Sequence, residues 1–446
     1  MAYNMLKKGV KNEKENFISN IANSIIRSWD RIYMFCNRHV KNKKQLFFSY
    51  LLSDDLTSDL KSEDLSKYLE KEKTTAFSNK GEITANVKDN GESSDAYDLL
   101  SNSKIKLEGK VDNSHKKAEQ EITVALAQGI NVPIKIRRDG ETYGIQSRLL
   151  YDKYIAVKNE NLKSLFEKLG MDNSNEIPNQ IDWENIQFTT EELQNIKDKY
   201  SRVFYNSVDN DMFEKSKVDG QTKVTVNMTA DQFVSIIEKM ANELKNDEKL
   251  LNKLSDGTTV DELKKQIDEF VNALKDVEHT EQDKMSISLY IKSRKLVKCE
   301  INTTDENGTE TIATAEKEDN KLTVKTFEAN EMQNQISIAK DENADATTYT
   351  INVVTQDLGE GSNIQIKMGF KNLSKLDDVE ESIEATIEYG EDSNKSAIQI
   401  NYNNTITFVQ NTEIESFNTD NAVVLNDISE NELNNLLETI YENLGL

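Results

Sequence analysis

Cysteine, proline and histidine are scarce in this chain of 446 residues, which contains 2 Cys, 2 Pro and 3 His. Two cysteines, Cys36 and Cys299, cannot build a disulfide framework or a cysteine-rich metal cluster. His39, His115 and His279 lie far apart in the sequence, and none belongs to an HExxH-type pair. The ligand pattern of a zinc hydrolase is therefore missing, and we expect neither a metal nor a cofactor.

Motifs for nucleotide binding and nucleophilic catalysis are missing as well. The sequence has no Walker loop and no strand-linked GxGxxG run. Gly359-Glu360-Gly361-Ser362 is interpreted as a turn rather than a nucleophile elbow. Acidic runs such as Asp209-Asn210-Asp211 and Asp341–Asp345 lack the glycine and closing glutamate of an EF-hand, which favours solvated loops. We predict no catalytic residues. Catalytic carboxylate pairs are not recognisable among 79 acidic residues, which leaves a glycosidase as the enzymatic alternative.

Apolar residues are few and negative charge is abundant. The hydrophobic share is 36%, against about 45–50% in an average protein when Gly is counted. The 79 acidic residues outnumber the 55 basic ones, and the formal net charge is −24. Because neutralising phosphates requires clustered Lys and Arg, this balance argues against a nucleic-acid partner.

The N-terminal segment 1–42 is the basic exception. Its apolar residues recur at steps of three or four and form one helical stripe: Ile18, Ile21, Ile25, Trp29 and Ile32. A basic amphipathic helix of this kind can lie on an anionic membrane surface, and the alternative is an ordinary helix packed on the body of the protein. No uncharged apolar run reaches 18 residues, so we expect neither a transmembrane helix nor a signal peptide in the chain.

Beyond residue 42, helical and strand periods alternate. Capping-box patterns at Thr189, Thr229, Thr259 and Ser429 predict helix starts. Residues with a period of two predict many antiparallel strands, and Asp139-Gly140 predicts a hairpin. The predicted order is a helix-plus-meander unit at 43–172, a helical bridge at 173–222 and a second helix-plus-meander unit at 223–446. This pattern is typical of the α+β class, with helices packed on one face of a long antiparallel β-meander.

The two predicted units end alike. Tyr154–Val157 and Ala422–Leu425 each lead into a helix that ends in Leu-Gly, at Leu169-Gly170 and at Leu444-Gly445. This similarity favours an internal duplication. The alternative is that both ends merely obey common helix-stop chemistry.

Several segments resemble a known group of proteins. The runs Lys80–Lys88 and Ser103–Asp112, the Asp139-Gly140 hairpin and the segment Asp152–Asn159 are similar to uncharacterised, membrane-anchored extracellular proteins of low-GC Gram-positive bacteria. Lys43–Leu51 resembles the start of their extracellular part. A broad meander with helices in its hollow is more distantly similar to the LolA and LppX type of lipoprotein carrier. The resemblance implies a LolA-like half-barrel at the cell surface or the extracellular face of the membrane. Residues 1–42 lack the family's spanning helix and lipobox cysteine, so a cytoplasmic location is the alternative.

Three functions follow from these observations. The first is a non-enzymatic, envelope-associated binding or carrier protein that holds an apolar ligand or a protein partner between sheet and helices. The second is a structural surface protein with an acidic exterior. The third is a cytoplasmic interaction module whose N-terminal helix lies on a membrane.

Overall fold

A computed structural model describes residues 42–88, 104–125, 131–170, 179–181, 188–254, 259–356, 362–389 and 396–444. These residues divide into two compact units. The first unit combines the residues up to Lys61 with those from 188 to Ala339. The second combines Ser62–Ile181 with the residues from Lys340 onward. Each unit therefore joins two separated stretches, unlike the consecutive segments that the sequence predicts.

Eight helices lie within the described residues. They are α1 Lys43–Leu51, α2 Glu63–Thr74, α3 Leu162–Lys168, α4 Thr190–Ser207, α5 Ala230–Lys245, α6 Glu248–Leu254, α7 Val260–Lys275 and α8 Glu430–Leu444. The predicted capping boxes at Thr189 and Thr229 are confirmed. Each threonine hydroxyl accepts from the backbone N–H three residues on, and each threonine backbone N–H donates to the side chain of that same residue. Local capping chemistry thus determines where α4 and α5 begin.

The described residues also form eighteen strands. They are β1 Ala76–Lys88, β2 Lys104–Asp112, β3 Lys117–Ala125, β4 Asn131–Asp139, β5 Thr142–Ser147, β6 Tyr151–Lys158, β7 Phe213–Val218, β8 Gln221–Thr229, β9 Lys284–Lys292, β10 Lys295–Asp305, β11 Gly308–Glu318, β12 Lys321–Glu328, β13 Glu331–Glu342, β14 Ala346–Thr355, β15 Asn363–Lys371, β16 Asp378–Tyr389, β17 Ser396–Phe408 and β18 Ala422–Val424. The predicted α+β class and the largely antiparallel sheet are confirmed.

The first unit contains an antiparallel meander in which β7, β8, β9, β10, β11, β12 and β13 pair in chain order. Helices α1, α4 and α5 pack on one face of β8–β10. Phe47 of α1, Val224 of β8 and Leu289 of β9 are each 0% exposed in that core. A second cluster joins α5, α6 and α7 around Leu251 and Leu263. This unit has the predicted helix-covered sheet.

The second unit pairs its strands in the order β14, β15, β16, β17, β1, β2, β3, β4, β5 and β6, all antiparallel. Strand β18 then pairs with β6 in parallel. The predicted Asp139-Gly140 hairpin is confirmed between β4 and β5, and Gly140 adopts a φ of +60° in its turn. The β17–β1 pairing joins residues that are distant in sequence.

The two strand–helix ends that suggested a duplication lie together in the second unit. Strands β6 and β18 are neighbours, and α3 and α8 share one hydrophobic cluster that contains Leu165, Leu433 and Leu436. The predicted duplication places α3 and α8 in different units, whereas in the structure both helices belong to the second unit. A shared cluster explains the similarity, since both helices present leucines to the same core.

Three strands, β7, β8 and β11, were not recognised from the sequence. The segment 173–222 contains α4, but strand β7 begins at Phe213, so the helical prediction is wrong from there onward. Asp219-Gly220 links β7 to β8 and was an available hairpin signal. Strand β11 was missed because its Thr, Glu and Ala residues give a weak alternation of apolar side chains.

Candidate functional site: an apolar sheet face

One face of the second unit carries a continuous row of apolar side chains across eight strands. Side chains of directly paired residues lie on the same face of a sheet, so the register identifies the row. It runs through Tyr349, Met368, Ile383, Tyr402, Ile83, Ile105, Val124 and Val132. A second row, two residues along most strands, consists of Ile351, Ile366, Ala385, Ile400 and Ala85. We call these two rows the open face.

The open face is not buried under the described parts of the chain. None of its residues falls in the buried class, and Ile383 and Ile400 are 37% and 40% exposed. None belongs to the hydrophobic clusters that the described residues form. Since contiguous exposed apolar surface is rare on soluble proteins unless it binds something, this face is the candidate site.

Helix α2 covers one end of the same face. Tyr68 is 0% exposed and packs with Phe77, Val379 and Ile406 in one cluster. Its ring centroid lies 6.1 Å from that of Phe408, in an edge-to-face arrangement. These sheet residues share the face of Ile383 and Ile83, because they lie an even number of residues away on the same strands. The helix therefore covers one end of this face, and the other described helices do not join its residues in a hydrophobic cluster over the open face.

Polar residues mark the boundary between the covered end and the open face. Glu381, Asn404 and Gly81 are directly paired on β16, β17 and β1. Tyr68 Oη donates to Glu381 Oε1 at 2.8 Å, and Asn404 Nδ2 donates to Glu381 Oε2 at 3.0 Å. The carboxylate of Glu381 is thus held by two donors at the edge of α2.

Burial and negative charge raise the pKa of two groups at this boundary. Burial, followed by the charge of Glu381, raises the pKa of the Glu72 carboxyl on α2. Burial and the charges of Glu381 and Glu72 raise the pKa of Tyr402 to about 12. Glu72 and Tyr402 therefore experience negative potential from the same carboxylate.

The opposite face of these strands is polar. A groove of about 520 Å³ lies there, and its lining includes Lys80, Lys106, Lys371, Glu108 and Glu380. Lys371 Nζ lies 3.6 Å from Glu380 Oε2. The sheet thus has one charged face and one apolar face, as expected for an antiparallel sheet with one solvated side.

His115 and His279 each lie beside a carboxylate, and Cys299 is buried. His115 Nδ1 lies 2.8 Å from Asp112 Oδ2, and His279 Nε2 lies 2.7 Å from Asp231 Oδ1. Burial raises the pKa of the Cys299 thiol to about 12, which keeps it protonated and unreactive. Within the described ranges, no group of three or more His, Cys, Asp or Glu is arranged to hold a metal ion.

The predicted membrane-surface residues lie outside the described residues. These are Ile18, Ile21, Ile25, Trp29 and Ile32, and their prediction is not tested by the structure. Among the helices that are described, none has both the length and the apolar character needed to cross a membrane. The sequence does not identify the open face as a site. Alternation within a strand shows which of its sides is apolar, but it does not show whether a helix covers that side.

Comparisons with known proteins identify no family. No family profile matches the chain, and no curated protein matches its sequence. Among solved structures, transferrin binding protein B of Haemophilus parasuis Hp5 is similar at a TM-score of 0.12 and 8% identity, covering 74% of this chain and 76% of that one. The CymD monoaromatic hydrocarbon channel is similar at a TM-score of 0.21 and 6% identity, and the match covers 80% of this chain and 94% of that one. The P. putida toluene transporter TodX is similar at a TM-score of 0.11 and 6% identity, and the match covers 81% of this chain and 93% of that one. TM-scores this low support no argument about fold or function.

Proposed function

We propose that this chain is a non-enzymatic, cell-envelope-associated binding or carrier protein that holds an apolar ligand on the open face. The observation that supports this proposal is the row of eight apolar residues from Tyr349 to Val132, which continues across eight strands without a charged member. A long hydrocarbon chain needs only such a surface.

The backbone around the open face favours a small apolar ligand over an added protein strand. Strands β15, β16, β17, β1, β2 and β3 each pair with a neighbour on both sides. Their backbone groups are therefore engaged, and strand addition requires a free sheet edge. Contact with this face must come from side chains or from a ligand that makes no backbone hydrogen bonds.

The energetic gain from covering the face is appreciable. Fully burying a large aliphatic side chain stabilises a complex by about 1.5–3 kcal/mol. The open-face residues are already partly shielded, so each contributes less than this. Several of them acting together still provide a useful driving force for binding, because burial is roughly additive in area.

The finer parts of the proposal rest on the sequence resemblance. A LolA-like half-barrel would place a helix against the apolar face of a broad meander, and α2 on Phe77 and Phe408 is consistent with that arrangement. The envelope location and the membrane-surface role of residues 1–42 remain proposals. Protease treatment of intact cells tests the location, since an extracellular protein is degraded and a cytoplasmic one is protected.

Charged substitutions on the open face test the ligand. The double variant Ile383→Lys with Ile400→Lys places two ammonium groups on that face. The matched control is Val218→Lys in the first unit, because Val218 is 39% exposed, close to the exposure of both isoleucines. We expect purified protein to carry extractable lipid detectable by mass spectrometry, the double variant to lose it, and the control to keep it.

Two outcomes would contradict the proposal. One is protein that carries no lipid and does not bind a fluorescent fatty-acid analogue. The other is equal lipid content in the double variant and the control. Either result would instead favour the structural surface protein.

A further inference from the structure

A cluster of hydrogen-bond acceptors lies between α2 and the open face. Glu381, Asn404 and Asn79 belong to β16, β17 and β1, and Glu72 belongs to α2. Asn404 is directly paired with Gly81, two residues from Asn79 on the same side of β1. We call Glu72, Glu381, Asn79 and Asn404 the acceptor cluster.

Two amide oxygens of this cluster have no donor in the described structure. Asn404 is 5% exposed, and its Nδ2 donates to Glu381 while its Oδ1 is buried without a partner. The Oδ1 of Asn79 is also buried without a partner. Buried acceptors without donors are uncommon in folded proteins and are costly to leave so. Asn79 Oδ1 lies beside the side-chain amide of Gln120 over Gly109, so the oxygen that points to a missing donor is Asn404 Oδ1.

Two glycines leave space for these oxygens. A Cβ on Gly81 would lie 3.0 Å from Asn404 Oδ1 and 2.9 Å from the Asn403 carbonyl oxygen. A Cβ on Gly109 would lie 2.8 Å from Asn79 Oδ1, and the Gln120 amide also lies over Gly109. The Nε2 of Gln120 is a buried donor without a partner. The absence of side chains at both glycines lets the amides lie directly over the sheet.

The charge of the cluster is negative. After burial, the charge of Glu381 is the next cause of the raised pKa of Glu72, and Lys73 is the cation that acts on Glu72. Lys73 is exposed at the surface of α2. The carboxyl groups of Glu72 and Glu381 and the unpartnered Oδ1 of Asn404 thus form a group of acceptors at the edge of α2.

We propose that the acceptor cluster binds the ammonium group of an amphipathic ligand whose hydrocarbon chain lies on the open face. An alkylammonium group has three donors and no acceptor, which matches the composition of the cluster. Its positive charge also complements Glu72 and Glu381. This inference rests on the proposed carrier function and defines the ligand class for the same face.

Matched ligands with one chain length test the inference. Isothermal titration calorimetry of the full chain at neutral pH compares n-decylamine, n-decanol and n-decanoate below their micelle concentrations. We expect the amine to bind about tenfold more tightly than the alcohol, because its hydrogen bonds are charge-assisted, and the carboxylate to bind most weakly.

Variants separate the headgroup from the chain. Glu72→Gln and Glu381→Gln should each remove most of the preference for the amine and leave decanol binding unchanged. The control for the first is Glu70→Gln, since Glu70 is exposed on the same helix, and the control for the second is Glu384→Gln, which is exposed on β16 and points to the opposite face. Both controls should retain the preference.

The outcomes distinguish the two proposals. Equal affinity for amine and alcohol, or equal effects of Glu72→Gln and Glu70→Gln, would overturn the ammonium site and leave the carrier function standing. Failure of all three probes to bind would overturn the carrier function and the ammonium site with it.

Discussion

The sheet faces of the two units carry similar apolar rows but have different covers. In the first unit, a row of paired residues runs through Leu289, Cys299, Ala315, Val324 and Ile336. Leu289 is 0% exposed and Cys299 is 8% exposed, whereas Ile336 is 37% exposed. In the second unit, the row through Ile383 and Ile83 has no member in the buried class.

The difference follows from the helices. Helices α1, α4 and α5 lie over β8–β10, and Phe47, Phe48 and Ile236 fill the interface. Exposure rises along the first row as it leaves these helices. In the second unit, α2 is the one described helix in the hydrophobic cluster around Phe77, and it covers that end of the face. Alternation in a strand thus specifies which side is apolar, and the packing of helices decides whether that side becomes core or binding surface.

The largest expected effect compares one residue from each face. Leu289→Ala should lower the free energy of unfolding of the first unit by about 2–5 kcal/mol, because it opens a cavity in a packed core. Ile383→Ala should cost the second unit about 1 kcal/mol or less, because its side chain is already partly in water. Urea unfolding followed by hydrogen exchange of each unit measures both. Similar losses would show that the open face is a buried core in solution.

The covered end of the second unit offers the next test. Tyr68→Phe removes the hydroxyl that donates to Glu381 and keeps the ring packing. Hydrogen bonds to charged groups contribute about 1.5–3 kcal/mol, so we expect a loss of that size in thermal or urea unfolding. Tyr441→Phe is the control, since Tyr441 is 54% exposed. A loss no larger than that of the control would mean that water replaces the Tyr68 hydroxyl.

A smaller effect concerns the helices that cover the first unit. Thr189 caps α4, and its Oγ1 accepts from Glu192 N at 3.2 Å. Thr189→Ala should cost about 1 kcal/mol, while Thr189→Ser should keep most of the stability. If unfolding of the first unit is unchanged by the alanine, α4 contributes little to the cover over β8–β10.

The smallest effect is a pH dependence in the first unit. The hydrogen bond with Asp231 raises the pKa of His279, with a further contribution from the Val277 carbonyl. A pKa that is raised in the folded state stabilises the protein at pH values below the unfolded-state pKa of about 6.5. This contribution is lost as the pH rises through the folded-state pKa.

Because Asp231 is 86% exposed, this contribution should stay below about 1 kcal/mol. Asp231→Asn should therefore be less stable than the parent protein near about pH 6, and the difference should vanish near about pH 9. Melting temperatures at the two pH values measure it. A difference that persists at the higher pH would indicate a structural role for Asp231 at the start of α5 rather than pairing with His279.

Local features of the fold were predictable because they depend on few residues. The capping boxes at Thr189 and Thr229 were read from side chains three positions apart, and Asp139-Gly140 was read from a turn that needs a positive φ. The strands of the second unit were recognised from their period of two. The hairpin at Asp219-Gly220 carried the same local signal and was overlooked.

The sequence by itself determined the α+β class of the fold, the apolar side of most strands and the starts of α4 and α5, since these depend on neighbouring side chains. Tertiary structure alone decided that β1 pairs with β17, that α3 and α8 share one cluster, and that Asn404 meets Glu381 beside the open face. Such contacts join residues up to hundreds of positions apart. They depend on which surfaces gain most by packing together, and a pattern within one segment contains no information about its distant partner.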